Sequence, residues 1–269
     1  MGMDLLKRSL APVVGEAWEL IDQEATRVLK QNLAGRKLVD CKGPHGWAYA
    51  AVNTGRLRTL QDKPIEDVHV GLREVLPLME LRTPIVLSLM ELDTVARGRE
   101  NPDLEAVVQA AEKMAMAEDT AIFNGYEKAG MTGILPTSSH EPVPVERVVD
   151  WPRAILDAKE RLRQAGITGP YAVALGTRDY DELFAATADG YPIAKQIHRQ
   201  IIDGPIVHAP ALREGVLLSA RGGDYELVIG QDLSIGYALH DKDHVELYLT
   251  ESFTFRVLEP SAAIRLRRS

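Results

Sequence analysis

The stretch between residues 48 and 92 most constrains the fold, because it carries strand-forming sequence with no helix between the strands. Residues 47–52 and 56–60 are rich in β-forming side chains and flank the turn signal Asn53-Thr54-Gly55. Residues 82–92 form a further strand candidate, in which Pro84 keeps the start of the strand away from a central ladder position. An extended hairpin buries little of its own surface, so the pattern predicts a projecting β arm that needs a partner surface.

The rest of the chain alternates between helical and strand periodicity and predicts a mixed α+β fold. Apolar residues at three- and four-residue spacing predict helices over 15–33, 103–124, 152–165, 180–186 and 193–202. Strands are expected at 36–40, 171–175, 216–219, 225–229, 245–250 and 252–258. Gly35 follows the first helix and Gly125 follows the second, as expected of helix-ending glycines.

Composition narrows the class of protein. The 269 residues are 45% hydrophobic and 26% charged, which is typical of a soluble globular chain of one large or two small domains. The sequence has no apolar window long enough to span a membrane, and its start lacks the apolar core of a signal peptide. A single cysteine, Cys41, excludes an internal disulfide and favours the cytoplasm.

Charge argues against a nucleic-acid partner. Acidic residues number 39 against 31 basic ones, giving a net charge of −8, and an acidic chain attracts phosphate backbones poorly. The last residues, 265–268, are locally basic, and the simplest interpretation is a solvated tail.

Residues suited to catalysis or metal binding are present but do not form a recognisable motif. His240 and His244 are four apart across a turn, which gives their rings no common direction, so no metal site is expected. Glu118 and Asp119 are adjacent on the predicted long helix and point about 100° apart, so they cannot share a proton, and a solvated face is expected.

Three further residues receive structural interpretations. Cys41 is expected to be a buried structural cysteine, since no base apart from Lys42 is evident beside it. Asp224 and Asp232 are expected to hold turns through hydrogen bonds to the backbone. The sequence therefore predicts no catalytic residue and favours a structural subunit over an enzyme.

Nine segments in the same order resemble the encapsulin shell proteins (family 1, linocin-like). The segments are Leu6–Pro12 with Trp18, Gly35–Asp40, Leu76–Arg82, Glu91–Gly98, Glu118–Gly125, Gly169–Tyr171, Gly190–Pro192, Arg221–Asp224 with Gly230–Tyr237, and Glu251–Phe255. The resemblance runs from Leu5 to about Arg265, and its most specific piece is Gln231–Tyr237.

This resemblance implies the tailed-phage major capsid protein fold, with a peripheral domain, an axial domain and an extended β-hairpin loop. The expected divisions are 1–47 for the N-terminal helix and the start of the peripheral domain, 48–92 for the extended loop, 93–149 for the peripheral domain with its spine helix, 150–215 for the axial domain, and 216–269 for the C-terminal β part of the peripheral domain. The implied product is a closed icosahedral cytoplasmic shell of about sixty copies (T=1), with no membrane or nucleic-acid partner.

Encapsulins enclose enzymes that carry a C-terminal targeting peptide, such as a dye-decolorising peroxidase or a ferritin-like protein, in oxidative-stress or iron-storage roles. Carried over by position, the cargo-peptide site contains Leu29, Arg36, Asp40, Asp232, Leu233, Ile235 and Tyr237. An apolar groove with one basic and two acidic residues suits alternating leucines and charges on such a peptide. Leu29 and Ile235 could equally be core residues.

The resemblance also places a five-fold pore at Asp189, Gly190 and Tyr191, where a ring of carboxylates would favour cations. Some encapsulins bind a flavin near an aromatic residue on the outer face. The matching position here is Met90, which cannot stack on the flavin ring, so no cofactor is expected.

Two other classes remain open. A phage capsid protein would share the fold, but the sequence opens directly into an amphipathic helix without a scaffolding extension, which favours a peptide-binding inner wall. A hydrolase is the third class, and no motif in the sequence supports it.

Overall fold

A computed structural model describes residues 5–62, 64–188 and 190–268 of the chain. The α-helices are α1 Gly15–Asn32, α2 Leu89–Ala96, α3 Glu105–Phe123, α4 Ile134–Thr137, α5 Trp151–Gln164, α6 Thr177–Ala185 and α7 Ile193–Gln196. The strands are β1 Asp40–Lys42, β2 Ala51–Leu60, β3 Val70–Pro77, β4 Met79–Ser88, β5 Val143–Val145, β6 Tyr171–Leu175, β7 Thr187–Ala188, β8 Tyr191–Pro192, β9 Ile206–His208, β10 Gly215–Ser219, β11 Tyr225–Ile229, β12 Ser234–His240, β13 His244–Val257 and β14 Ala263–Arg268. Among the described helices, none has the length and apolar character needed to cross a membrane.

The first of two five-stranded sheets is organised around the long strand β13. Strands β11 and β12 pair with it in antiparallel fashion, β1 adds to β11, and β4 pairs with β13 from Met79 to Ser88. Strands β11 and β12 pair with different parts of β13 along the same side of that strand. The strand β4 pairs with the opposite side of β13 and is an edge strand of the sheet. Pro84 therefore lies on an edge strand, where its missing N–H leaves no central ladder position empty, as its position in the sequence predicted.

The second sheet has the order β5-β14-β10-β6-β9 and collects strands from distant parts of the sequence. The stretch 216–269 contributes to both sheets, since β10 and β14 belong to the second sheet and β11 to β13 belong to the first. The interpretation of 265–268 as a solvated tail is wrong. These residues belong to β14, where Arg265 binds Glu214 and Arg268 binds Asp179.

Two hydrophobic cores follow the two sheets. The helices α1, α2 and α3 cover the first sheet through residues such as Ile21, Met114 and Leu247. The helix α5 packs on the second sheet, with Trp151 and Leu162 fully buried. The amphipathic stripes predicted for these helices thus mark the faces that they bury.

The predicted β arm is present as a two-stranded antiparallel ribbon of β2 and β3, which pair with each other and with no other described strand. The strand β2 runs through Asn53-Thr54-Gly55, where the register shifts, so the expected turn at that point is an irregularity within one strand. Trp47 precedes the arm and is not in a strand.

Three other local predictions need correction. Residues 36–40 were expected to form a strand, but Gly35–Lys37 is a 3₁₀ turn and the strand starts at Asp40. The strand expected over 82–92 ends at Ser88, whose hydroxyl accepts a hydrogen bond from the N–H of Glu91 and begins α2. The strands expected at 245–250 and 252–258 form one continuous strand, β13, which spans Glu251.

Candidate functional site

The 3₁₀ turn after α1 directs Arg36 towards carboxylates from three other elements. Its guanidinium donates to Glu118 of α3 at 2.7–3.0 Å and to Asp232 at 2.9 Å, and it also binds Glu251 of β13. The side chains of Glu118 and Glu251 are fully buried, whereas that of Asp232 is 42% exposed. We call Arg36, Glu118, Asp232 and Glu251 the Arg36 network.

The Arg36 network has three carboxyl groups for one guanidinium. Burial and the neighbouring Glu118 raise the pKa of Glu251 well above its ordinary value. Burial opposes the charged form of Arg36, but its bonds to Glu118 and the charges of Glu251 and Asp232 outweigh burial and raise the pKa of Arg36.

Asp119 binds the backbone of the same 3₁₀ turn. Its carboxylate accepts the N–H of Ala34 at 2.9 Å and that of Gly35 at 2.7 Å, and burial raises the pKa of Asp119 to about 7. The expectation that Glu118 and Asp119 form a solvated face is wrong, because both are buried. The prediction that the two side chains point about 100° apart agrees with their contacts. Glu118 binds the side chain of Arg36, and Asp119 binds the backbone of the 3₁₀ turn.

The apolar residues of the expected cargo site lie together. Leu29 and Ile235 are buried in the first core, and Leu233 and Tyr237 are half-buried against the same cluster. Arg36 and Asp232 are joined by the Arg36 network. Asp40 is held elsewhere, where its carboxylate accepts the N–H of Gly223 at 2.5 Å and stabilises the turn between β10 and β11.

The segment before α1 lies on this region, a feature that the sequence analysis did not predict. The carbonyl of Leu6 accepts the N–H of Tyr237 at 2.8 Å, and the hydroxyl of Tyr248 donates to the carbonyl of Leu5 at 3.2 Å. Arg8 pairs with Asp22 and stacks 4.0 Å from the ring centre of Trp18. The N-terminal segment therefore borders Tyr237 on β12, one of the residues expected to bind cargo.

Of the expected pore residues, Asp189 lies outside the described residues. Gly190 has a φ of +79°, in the left-handed region that glycine adopts most readily, and Tyr191 is 41% exposed. Both belong to the small hairpin formed by β7 and β8. The phenol ring of Tyr191 is therefore exposed next to Gly190 in this hairpin.

Other residues singled out in the sequence have separate environments. Cys41 is exposed, so its interpretation as a buried cysteine is wrong. Asp232 holds a turn by accepting the N–H of Leu233 at 2.8 Å, as expected, whereas the carboxylate of Asp224 pairs with the side chain of Arg221. Met90 is 74% exposed on α2.

His240 and His244 lie on either side of the turn that joins β12 to β13. His240 ends β12, where its Nδ1 lies 2.6 Å from the hydroxyl oxygen of Tyr237, and His244 begins β13. Within residues 5–62, 64–188 and 190–268, no three histidine, cysteine or acidic side chains are grouped to hold a metal ion.

Solved structures define the class to which this architecture belongs. A virus-like particle from Pyrococcus furiosus matches with a TM-score of 0.65 at 14% identity, over 94% of this chain and 100% of that chain. The capsid of an empty GTA particle matches with a TM-score of 0.56 at 17% identity, over 88% and 90% of the two chains. The fold is therefore that of the tailed-phage major capsid proteins.

Sequence similarity then identifies the family within that class. The model of the Linocin_M18 family, described as "Encapsulating protein for peroxidase", matches residues 3–254. The type 1 encapsulin shell protein of Brevibacterium linens is 44% identical over 265 residues, which cover 98% of this chain and 99% of that protein. The chain belongs to the encapsulin shell-protein family and, like its relatives, is a structural subunit and not an enzyme.

Proposed function

We propose that this chain closes into an icosahedral cage of about sixty copies in the cytoplasm and encloses an enzyme that carries a C-terminal targeting peptide. The observation that carries the proposal is the β arm. Leu57, Leu72 and Val75 on its strands are all at least 49% exposed, and an isolated two-stranded ribbon is only marginally stable in water. A second copy that covers the arm accounts for both features.

The apolar residues around β12 support a peptide site. Leu233 and Tyr237 are half-buried at the surface of a core that contains Leu29 and Ile235, so a short peptide could add its own leucines to this cluster. Arg36 is already surrounded by carboxylates, and we therefore assign it to shaping the site rather than to pairing with the cargo. The half-exposed carboxylate of Asp232 remains available as an acceptor for a peptide N–H.

Selection of cargo is proposed to depend on apolar contact more than on charge. The proposed cargo class is a peroxidase or a ferritin-like iron oxidase, by family resemblance. Entry of small cations through a pore lined by Asp189, Gly190 and Tyr191, and the lack of flavin binding at Met90, are proposed on the same basis.

Assembly is tested by negative-stain electron microscopy and native mass spectrometry of the chain expressed alone. Uniform, empty, closed particles support the proposal. A monomer or small oligomer under the same conditions contradicts it.

Cargo binding is tested by co-expression with a fluorescent protein that ends in a peptide of alternating leucine and charged residues. We expect fluorescence to copurify with the shells, and Leu233→Asp to abolish loading without preventing assembly. Leu239→Asp is the matched control, because Leu239 lies near the end of β12 and is 56% exposed, whereas Leu233 directly precedes that strand and is half-buried. Equal loading of the two variants would place the peptide site elsewhere.

A further inference from the structure

No described strand pairs with the outer side of β12. In the first sheet β12 pairs with β13 along one side only. The backbone N–H of Tyr237 points to the other side, where it donates to the carbonyl of Leu6 at 2.8 Å. Because the backbone groups of a strand alternate between its two sides, the N–H and carbonyl of Ile235 face the same outer side. A strand side of this kind can receive an extended peptide as an additional strand.

The residues before α1 already occupy part of this outer side. We call residues 5–10 the N-terminal strap. Besides the bond to Tyr237, the strap receives a hydrogen bond from the hydroxyl of Tyr248 to the carbonyl of Leu5 at 3.2 Å. Two hydrogen bonds of 2.7 and 3.2 Å join Arg8 to Asp22 of α1. The strap therefore lies against β12 and is attached to α1.

The N-terminal strap is held weakly. None of its residues is buried, and Leu10 is 65% exposed. The pair of Arg8 and Asp22 is partly exposed, so water screens it. Lys7 has a φ of +51°, a left-handed conformation that is unfavourable for a residue with a side chain. A segment with few buried contacts opens at a low free energy, so the strap can leave β12 while the rest of the subunit stays folded.

The strap and the proposed cargo peptide need the same part of β12. Leu233 and Tyr237 are half-buried against the first core and offer the peptide an apolar surface. An extended peptide that contacts Leu233 and continues along the outer side of β12 reaches Tyr237, whose N–H is bonded to Leu6. Two chain segments cannot occupy one side of a strand at the same residue. Binding of such a peptide therefore requires that the strap moves away.

We propose that the N-terminal strap competes with the cargo peptide for the outer side of β12 and is displaced when the peptide adds there as a strand. The inference rests on the proposed cargo binding and specifies how that site is regulated. The peptide supplies a backbone carbonyl to the N–H of Tyr237 in place of that of Leu6, and an apolar side chain to the surface at Leu233. The strap lowers the apparent affinity for the peptide according to the fraction of time for which it covers the site.

Loosening the strap tests the competition. Arg8→Ala with Tyr248→Phe, the strap variant, removes the attachment to α1 and the hydrogen bond to Leu5 but keeps the aromatic ring of residue 248. Each chain is co-expressed with a limiting amount of a fluorescent protein that ends in a peptide of alternating leucine and charged residues. We expect shells of the strap variant to carry at least about fivefold more fluorescence than wild-type shells.

The control makes the same two substitutions outside the strap. Arg27→Ala removes an exposed ion pair within α1, and Tyr126→Phe alters an exposed residue after α3. This variant should load as the wild type does. Circular dichroism and negative-stain electron microscopy check that both variants fold and form shells. Equal loading of the wild type and the strap variant, or an equal gain in the control, would overturn the proposal.

Hydrogen–deuterium exchange gives an independent measurement. The N–H of Leu10 donates to the carbonyl of Lys7 at 3.0 Å, and this bond within the strap slows exchange. We expect cargo loading to speed exchange over residues 5–12, while residues 234–240 stay protected because the peptide replaces the strap. Unchanged exchange over residues 5–12 in loaded shells would show that the strap stays in place and would contradict displacement.

The outcomes separate this inference from the proposed function. If wild-type shells load the tagged protein, but the strap variant loads no more and exchange over residues 5–12 is unchanged, the competition is refuted and cargo binding stands. Loading by the strap variant alone would be the strongest support for the competition. If neither chain loads the tagged protein, the proposed cargo binding itself is refuted.

Discussion

Glu118 on α3 and Glu251 on β13 are 133 residues apart in the sequence, yet both carboxyl groups bind the same nitrogen, Nη2, of Arg36. Both side chains are fully buried. Two buried carboxyl groups are tolerated at one place because the Arg36 guanidinium binds both, and burial raises the pKa of Glu251. The pair joins the spine helix, the first sheet and the turn after α1, and it makes their packing dependent on protonation.

Glu251→Gln should reduce the pH dependence of stability. Folding raises the pKa of Glu251. Its contribution to the free energy of unfolding is therefore complete below pH 4.5, its ordinary pKa, and is lost as the pH rises through its pKa in the folded state. Burial also raises the pKa of Asp119, so the stability that its protonated form contributes is lost as the pH rises from 3.8 through about 7. We expect the denaturant midpoint of the wild-type chain to fall between pH 5 and 8, and that of Glu251→Gln to fall less.

The control for this experiment is Glu246→Gln, on the same strand but only half-buried. It should follow the wild-type curve. A midpoint of Glu251→Gln that falls as steeply as that of the wild type would show that Glu251 is not the titrating group.

Arg36→Met should strongly destabilise the subunit. The substitution keeps an apolar stem of similar length but leaves Glu118 and Glu251 buried without a cation, and removal of one partner from a buried ion pair costs about 3–5 kcal/mol. The measurement is the free energy of unfolding in guanidinium chloride. Arg27→Met on α1 removes only an exposed pair with Glu24 and should have little effect. Similar losses in the two variants would argue against a special role for the Arg36 network.

Gly35→Ala should destabilise the chain by about 1–3 kcal/mol, the usual range for overpacking. A Cβ at this position would lie 2.5 Å from Cδ1 of the fully buried Ile122 and 3.1 Å from Oδ1 of Asp119. Gly15→Ala is a matched control at the start of α1, because a Cβ there meets nothing within 4 Å. Thermal unfolding of both variants distinguishes them. An unchanged melting temperature for Gly35→Ala would mean that Ile122 can move aside at no cost.

Shortening the arm should separate folding from assembly. Asn53 and Val75 are paired across the ribbon, so residues 54–74 can be replaced by a two-residue Asn-Gly turn that suits a tight hairpin. The two cores lie outside the deleted segment, and we expect circular dichroism to report a folded chain. Size-exclusion chromatography with light scattering should then find small species in place of shells. If the shortened chain still forms normal shells, the arm is not needed for assembly.

Much of the fold could be predicted from local sequence. The stripe of apolar residues in α1, the glycine after α3 and the β character of the arm each depend on neighbouring residues, and each was located within a few positions. Predictions were wrong where tertiary contacts dominated. The basic residues 265–268 look solvated in isolation, but Glu214 and Asp179 from distant segments hold them in β14.

The candidate site was only partly predictable. Family resemblance predicts a cargo site at Arg36, Asp232 and the apolar residues around Ile235, and this stays a prediction. Nothing local to Glu118 or Glu251 indicates that they meet Arg36. An acidic pair on a helix is exposed unless another element supplies a buried cation and backbone donors. That information resides in the packing of α3 against the turn after α1.

The sequence by itself determined the position of the main helices, the β character of the arm, and which family the segments resemble. These features follow from periodicity, turn residues and motif order, all of which act over short distances along the chain. Only the tertiary structure decided that Glu118 and Asp119 are buried and that β14 belongs to the second sheet. Each of these depends on charges and strands brought together from distant positions, and their energies depend on burial that no local pattern encodes.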